Sequence, residues 1–315
     1  MDKVVVTGIS SFIGSHIASC LSKKGFEVIG TGTKPKAEYS GIRLSRINFT
    51  YQTGVKYKVL NILDEVGIRR FIDNIAPNYW FHLPAWTKDW GSLDYDLEKA
   101  FQIQVLSLNT IYKSLVKNNA DGIIITGSDS EYGNLEMACS EDHNCQPVMP
   151  YGFGKLMSTL HSRVLANKYN LSTRVGRVFI PFGNYENPKK IIPTVLASLE
   201  SKQPIKLSSC NQKRDFLYID DLTDGFLKLM PNLGSGELFD IFNICSGKAI
   251  SLKDILIKIT DLFGYDRDLL RFGEINLRKG EPKILFGNNI KAKTLLNWEI
   301  TSLNKSLKIF RNTLN

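Results

Sequence analysis

Tyr151 and Lys155 stand four residues apart in a stretch that begins at Pro150. If this stretch is helical, the two side chains lie on one face, about one turn apart. An ammonium group near a phenol favours the phenolate, so we expect the pKa of Tyr151 to fall from about 10 toward neutral pH. A tyrosine tuned in this way is a general acid or base. A structural pair, in which the tyrosine packs on the aliphatic part of the lysine, has the same spacing. The neighbouring motifs must therefore distinguish a catalytic pair from a structural one.

The N-terminal segment predicts the strand, loop and helix of a dinucleotide site. Val4, Val5 and Val6 indicate a buried parallel strand over Lys3–Thr7. A helical pattern then runs to about Lys24, Gly25 stops it, and a second strand is expected over 26–30. This is the context that a glycine fingerprint requires.

Two glycines have the positions that a dinucleotide fingerprint needs. Gly8 would make the tight turn, and Gly14 would let the helix pack close to the strand. The N-terminus of that helix would then hold a pyrophosphate. Ser11 replaces the middle glycine, and its hydroxyl can still donate a hydrogen bond to a phosphate.

The residues after the second strand bear on the choice of dinucleotide. An NAD-binding chain normally carries an acid there, but this chain has Thr33, Lys34 and Lys36. The missing carboxylate removes repulsion toward a 2′-phosphate, and lysines can neutralise that phosphate. We therefore expect NADP(H), with NAD(H) as the alternative if the lysines are only solvated loop residues.

Alternating strands and helices predict an α/β chain with a Rossmann-type, doubly wound parallel sheet. Ligands of such sheets bind beyond the carboxyl ends of the strands. Ser128 and its neighbours follow one such end, and His82 ends another. We expect His82 to pack there, because no metal-ligand spacing accompanies it. The further strands are expected at Lys56–Leu60, Tyr79–Leu83, Gly122–Thr126 and Arg174–Val178.

Composition narrows the classes of protein. The 315 residues are 43% hydrophobic and 23% charged, which is ordinary for a globular protein. The net charge of +9 is spread along the sequence and forms no basic helix face, so a nucleic-acid partner is not expected. The five cysteines form no Cys-x-x-Cys pair, which argues against a zinc site. Without an apolar run of ~18 residues or a leader pattern, we expect a cytoplasmic protein without a membrane partner.

Eight segments in order resemble motifs of the extended short-chain dehydrogenase/reductase family, in its nucleotide-sugar epimerase, dehydratase and reductase branch. The resemblance runs nearly the whole length of the chain. The segments are Thr7–Gly14, Phe81–Ala85, Gly127–Gly133, Pro150–Lys155, Gly176–Gly183, Arg214–Asp221, Phe242–Gly247 and Arg278–Pro282.

The resemblance implies roles at the matching positions. Ser128 would hydrogen-bond the reacting sugar oxygen, Tyr151 would be the acid or base, and Lys155 would hold the nicotinamide ribose. Arg214 and Arg278 would bind the diphosphate of the substrate, which suits a permanently charged, bidentate donor. The alternative for either arginine is a surface ion pair, for instance with Asp215 or Glu281.

The resemblance also implies the remaining ligand contacts, with no metal. The expected cofactor contacts are Gly8, Ser11, Phe12, Ile13, Gly14, Thr33, Lys34, Asn61, Ile62, Leu83, Pro84, Ala85 and Lys155. The expected contacts to a nucleotide-diphosphate sugar are Ser128, Asp129, Ser130, Tyr151, Phe179, Arg214 and Arg278. Asn61, Gln104 and Ile180 depart from the residues usual in this family.

The reaction is narrowed by one missing carboxylate. Related 4,6-dehydratases carry Thr-Asp-Glu, whereas this chain has Ser128, Asp129 and Ser130, with Glu131 one position out of register. We therefore expect NADPH-dependent reduction of the C4 ketone of a nucleotide-linked 4-keto-6-deoxyhexose. The alternatives are a nucleotide-sugar 4-epimerase, then a 4,6-dehydratase or a non-catalytic dinucleotide sensor.

The expected architecture has two parts. Residues 1–177 would form the cofactor domain, with 214–247 returning to it. Residues 178–315 would mainly form a smaller α/β substrate domain. The resemblance implies a homodimer through two helices of the cofactor domain.

Overall fold

The computed structural model of the chain describes residues 1–277 and 282–314. Its strands are β1 (Lys3–Thr7), β2 (Glu27–Gly32), β3 (Lys56–Val59), β4 (Tyr79–His82), β5 (Gly122–Ser128), β6 (Thr173–Val178), β7 (Ile180–Phe182), β8 (Ile205–Leu207), β9 (Lys213–Arg214), β10 (Phe216–Tyr218), β11 (Phe239–Ile244), β12 (Ile250–Ser251), β13 (Leu270–Phe272) and β14 (Ile284–Leu285). Its α-helices are α1 (Phe12–Lys23), α2 (Gly41–Tyr51), α3 (Glu65–Ile75), α4 (Leu97–Phe101), α5 (Ser107–Lys117), α6 (Pro150–Tyr169), α7 (Ile191–Glu200), α8 (Ile219–Asn232), α9 (Leu252–Phe263), α10 (Ile290–Leu296) and α11 (Leu303–Leu314).

A seven-stranded parallel sheet forms the centre of the molecule. Its strand order is β3–β2–β1–β4–β5–β6–β11. The order reverses between β1 and β4, which is where doubly wound sheets bind their ligands. The predicted Rossmann-type sheet is confirmed. Each predicted strand is found, with ends shifted by at most two residues.

β-branched and aromatic residues build the sheet because both of its faces are buried. Val4, Val5 and Val6 are fully buried, and Val5 pairs in register with Ile29 and Trp80 of the neighbouring strands. One hydrophobic cluster contains Ile68, Leu108 and Leu165 from α3, α5 and α6 on one face. A second cluster contains Ile17 of α1 and Phe226 of α8 on the other.

The C-terminal elements share the second of these clusters. Phe182, Phe263 and Phe310 pack together, with the ring of Phe182 6.0 Å from that of Phe310. Trp298 is buried, and its Nε1 donates to the carbonyl of Asp221 at the start of α8 over 3.1 Å. The apolar core therefore continues from the sheet into helices α7, α9 and α11.

Short pairings complete this C-terminal part. β7 runs parallel to β10, β8 runs parallel to β13, and β9 lies between β12 and β14. β11 returns to the central sheet beside β6, in register from Phe239 opposite Thr173. Among the described residues, no helix is both long and apolar enough to cross a membrane.

Candidate active site

Tyr151 and Lys155 lie at the start of α6. Pro150 occupies the first turn, where its missing N–H costs no helical hydrogen bond, and the helix continues to Tyr169. The predicted helical spacing is confirmed. Lys155 is buried, with 4% of its surface exposed, and its Nζ donates to the backbone carbonyl of Thr126 in β5.

Ser128 reaches the same place from the end of β5, which is two residues longer than expected. Its hydroxyl donates to Asp129 Oδ1 over 3.1 Å and accepts from the N–H of Ser130 over 3.2 Å. The Ser128 hydroxyl also lies near the phenol of Tyr151, whose pKa it lowers. Ser128 and Tyr151 therefore lie beside each other, and Lys155 follows one turn further along α6.

The expected fall in the pKa of Tyr151 is wrong. Burial, followed by the Asp129 carboxylate, raises the pKa of Tyr151 above its ordinary value, against the opposite effect of Ser128. The ammonium of Lys155 is directed at Thr126, and burial lowers the pKa of Lys155 to about 8. Tyr151 is therefore a phenol at neutral pH, which is the form that donates a proton.

Two carboxylates beside Ser128 have different environments. Burial raises the pKa of Asp129 to about 6, although hydrogen bonds from Ser128 and Ser130 oppose this rise. Glu131 is fully buried and accepts from the N–H of Ser128 over 2.8 Å. Glu131 also accepts from Arg177 Nε over 2.9 Å and from Thr159 Oγ1 over 3.0 Å. Each carboxylate oxygen of Glu131 thus accepts at least one hydrogen bond from a neighbouring segment.

Two aromatic rings flank Tyr151. The ring centroids of Trp90 and Tyr95 lie 6.0 Å and 5.9 Å from that of Tyr151, both near edge-on. The Nζ of Lys190 lies 4.4 Å from the Trp90 ring and so connects the loop after β4 to the segment before α7. Trp90 and Tyr95 were not predicted as site residues, although aromatic residues past the carboxyl end of a parallel strand were a usable signal.

The glycine loop has the shape that a pyrophosphate needs. Gly8 has φ +78°, in the left-handed region, and its carbonyl accepts from the N–H of Ser11. A Cβ on Gly14 would lie 2.6 Å from the Gly8 oxygen, so only glycine allows this close approach. Ser11 caps α1 by accepting from the N–H of Gly14, and no acid lies in the first turn. These residues fit a dinucleotide at the positive end of the helix.

The other expected cofactor contacts follow neighbouring strands, so they lie along the same edge of the sheet. Thr33 and Lys34 follow β2, Asn61 and Ile62 follow β3, and Leu83, Pro84 and Ala85 follow β4. Thr7 joins two of these strand ends, because its hydroxyl donates to the carbonyl of Phe81 and accepts from the N–H of Leu83. Phe12 and Ile13 open α1 and are partly buried. His82 is buried, as expected, and burial lowers its pKa to about 3.

The expected substrate contacts lie in different surroundings, and one of them is outside the described residues. Arg214 is buried in β9 and lowers the pKa of Asp129, so the two charges lie near each other. Phe179 is also buried, and its ring packs 6.3 Å from that of Tyr132 in a cluster beneath the site. Asp215, the alternative partner of Arg214, accepts hydrogen bonds from Ser246, Gly247 and Gly287. Arg278 and its alternative partner Glu281 lie outside the described residues.

In residues 1–277 and 282–314, no three His, Cys, Asp or Glu side chains are grouped as metal ligands.

A comparison with protein families identifies the chain. The family described as the NAD dependent epimerase/dehydratase family matches residues 4–245. The chain belongs to this family. Its members among the curated relatives are sugar-nucleotide epimerases, dehydratases and reductases, and the predicted relationship is confirmed.

Relatives within the NAD dependent epimerase/dehydratase family carry several activities. A UDP-glucuronate 4-epimerase of Thermodesulfobacterium geofontis is 25% identical over 95% of this chain and 91% of its own length. A CDP-abequose synthase of Salmonella typhimurium is 24% identical over 93% and 92%. A dTDP-4-dehydro-6-deoxyglucose reductase of Escherichia coli is 31% identical, over 46% of each chain.

Solved structures of the family share the fold. The UDP-glucuronic acid 4-epimerase of Bacillus cereus, in complex with UDP-glucuronic acid and NAD, superposes with a TM-score of 0.84. That alignment covers 99% of this chain and 100% of the other, at 23% sequence identity. At this identity the likeness supports the fold and no particular substrate.

Proposed function

We propose that the chain reduces the C4 ketone of a nucleotide-linked 4-keto-6-deoxyhexose with NADPH, for deoxysugar synthesis. The observation that carries this proposal is the position of Tyr151 in the first turn of α6, beside Ser128 at the carboxyl end of β5, where its pKa is raised. A ketone reductase needs a proton donor for the oxygen that becomes an alkoxide, and a phenol held in its protonated form is such a donor. The family and the relative named as a 4-dehydro-6-deoxyglucose reductase are consistent with this reaction.

Four side chains of the site have roles in this mechanism. The bound cofactor would supply the hydride that reduces C4. Ser128 would donate a hydrogen bond to the ketone oxygen, and Tyr151 would give its proton to the same oxygen as negative charge develops there. Lys155 would orient the nicotinamide ribose. Arg214 would bind the diphosphate, which holds the sugar in place.

Elimination of water is disfavoured by the state of Glu131. A 4,6-dehydratase needs a carboxylate that accepts a proton from the sugar. Glu131 already accepts hydrogen bonds from Ser128, Arg177 and Thr159, and Ser130 stands at the position of the missing glutamate. These contacts support reduction over dehydration.

The test is single-turnover loss of NADPH absorbance with CDP-, dTDP-, GDP- and UDP-linked 4-keto-6-deoxy sugars. At least one of these should oxidise NADPH, and Tyr151→Phe should slow that step by 10²-fold or more while NADPH binds normally. If none of the four oxidises NADPH or NADH, the reductase proposal is wrong. If Tyr151→Phe turns over normally, Tyr151 is not the proton donor.

A 4-epimerase is the second candidate, because relatives and solved structures with that activity match almost the whole chain. Such an enzyme retains NAD through its cycle, whereas a net reductase releases its oxidised cofactor. The discriminating measurement is the dinucleotide content of freshly purified protein. Retained NAD, with interconversion of a 4-epimer pair and no net oxidation, would favour the epimerase.

We also propose a homodimer formed through α5 and α6. Leu106, just before α5, and Phe153, Leu160 and Val164 on α6 are each at least 40% exposed. Exposed apolar side chains gathered on one surface are typical of an interface. Leu160→Glu should shift the mass measured by light scattering from dimer to monomer, and Leu277→Glu, an exposed leucine elsewhere, should not.

A further inference from the structure

The end of β2 is filled by two tyrosines at the place where a carboxylate is expected. Gly32 ends β2 and stands where a dinucleotide-binding chain normally carries the acid that holds the ribose hydroxyls. A Cβ built on Gly32 would collide with the phenolic oxygen of Tyr57 and lie 2.6 Å from that of Tyr39. No larger side chain fits at position 32 unless these phenols move.

Neither tyrosine is loosely held. Tyr39 is 6% exposed, and its oxygen accepts from the backbone N–H of Thr33 over 3.1 Å. Tyr57 and Ser10 of the glycine loop also lie near the Tyr39 phenol and lower its pKa. Tyr57 donates to the carbonyl of Lys34 over 2.6 Å. The two phenols therefore hold the residues just after β2, and Tyr57 connects them to β3.

A lysine ammonium lies over one ring of this pair, that of Tyr39. The Nζ of Lys34 is 5.0 Å from the centroid of the Tyr39 ring. The Nζ of Lys36, two residues further along, lies 3.9 Å from the ring of Tyr51 instead. Glu38 is the nearest acid along the chain, and its backbone carbonyl, not its carboxylate, accepts from Lys34.

We propose that Tyr39 and Tyr57 determine which dinucleotide binds. In an NAD-binding chain, a carboxylate at this position holds the 2′- and 3′-hydroxyls of the ribose and repels a 2′-phosphate. Here the two phenols occupy the volume of that carboxylate. The Lys34 ammonium beside Tyr39 then selects the 2′-phosphate. This inference rests on the proposed use of NADPH, and it adds the residues that enforce it.

The first test uses nucleotides that carry only the adenosine end of the cofactor, so it does not depend on the sugar substrate. Isothermal titration should show 2′,5′-ADP binding at least tenfold more tightly than 5′-AMP. Lys34→Met should remove most of this preference, whereas Lys36→Met, the matched control, should keep it. Equal binding of the two nucleotides to the wild-type protein, or equal effects of the two lysine variants, would overturn the inference. Ketone reduction with NADH would still support the proposed reaction in that case.

The second test asks whether the tyrosines exclude an acid. Gly32→Asp should lower the thermal midpoint by roughly 5 °C or more through overpacking, and weaken both NADPH and NADH. In a Tyr39→Phe, Tyr57→Phe background, which removes both phenolic oxygens, Gly32→Asp should lower the thermal midpoint by no more than half as much. This triple variant should bind NADH more tightly than NADPH. If Gly32→Asp alone keeps the wild-type midpoint and switches to NADH, the tyrosines do not exclude a carboxylate. If the phenylalanine background recovers nothing, the inference is equally wrong.

Discussion

Replacement of Glu131 by glutamine removes one charge from a buried ion pair without changing its shape. Glu131 and Arg177 are joined over 2.9 Å, and their side chains are 0% and 3% exposed. Glutamine can still accept from the N–H of Ser128, but it no longer neutralises the guanidinium. Arg177 Nη1 already has no hydrogen-bond partner among the described residues, so the variant leaves this cation poorly compensated.

The expected cost follows from this burial. Removal of one partner from a buried pair typically costs about 3–5 kcal/mol, because the remaining charge is left without compensation. Two contacts of Arg177 remain, with Cys145 Sγ at 3.1 Å and with the Tyr132 ring at 4.5 Å. We therefore expect Glu131→Gln to lower the free energy of unfolding by about 3 kcal/mol, at the lower end of that range. This is a large share of the roughly 5–15 kcal/mol of a typical domain.

The measurement is urea unfolding followed by fluorescence, with two control variants. Glu65→Gln breaks an exposed pair with Arg69, whose charged atoms lie 3.4 Å apart, and should cost less than about 0.5 kcal/mol. Thr159→Val removes only one hydrogen bond to Glu131 and should cost about 1 kcal/mol.

A double variant separates charge burial from shape. Glu131→Gln combined with Arg177→Met removes the uncompensated cation, so it should be more stable than Glu131→Gln alone. The reasoning is refuted if Glu131→Gln costs no more than Glu65→Gln, or if Arg177→Met adds to the loss in full.

Two further predictions concern the candidate active site. Lys155 has a pKa of about 8 in the fold, below its ordinary 10.5, so its buried charge costs stability at neutral pH and this cost fades as pH rises from about 8 to 10.5. Lys155→Met should therefore raise the free energy of unfolding at pH 7 by about 2 kcal/mol, after allowance for the lost bond to Thr126. The same variant should abolish turnover. A gain in stability that persists at pH 10.5 would contradict this prediction. Gly14→Ala should weaken dinucleotide binding at least tenfold in titrations, because its Cβ would press on the Gly8 oxygen at 2.6 Å; unchanged affinity would show that this close approach is not needed.

Much of the fold and the composition of the candidate site could be predicted from the sequence, because they depend on local features. The β-branched run Val4–Val6 makes a strand that is stable only when buried, and Gly8 and Gly14 permit a turn that other residues cannot make. Pro150 starts a helix, and helical geometry alone places Tyr151 and Lys155 on one face. The four-residue spacing therefore predicted that these two side chains share one face of a helix.

The electrostatic state of those side chains was decided only by the tertiary structure. The pKa of Tyr151 depends on burial and on Asp129, and Lys155 turns to a carbonyl 29 residues away in the chain. Glu131 meets Arg177 across 46 residues. Desolvation and ion pairing depend on which distant segments pack together. A local sequence pattern can therefore indicate which residue is the acid, but it cannot determine the pKa of that residue.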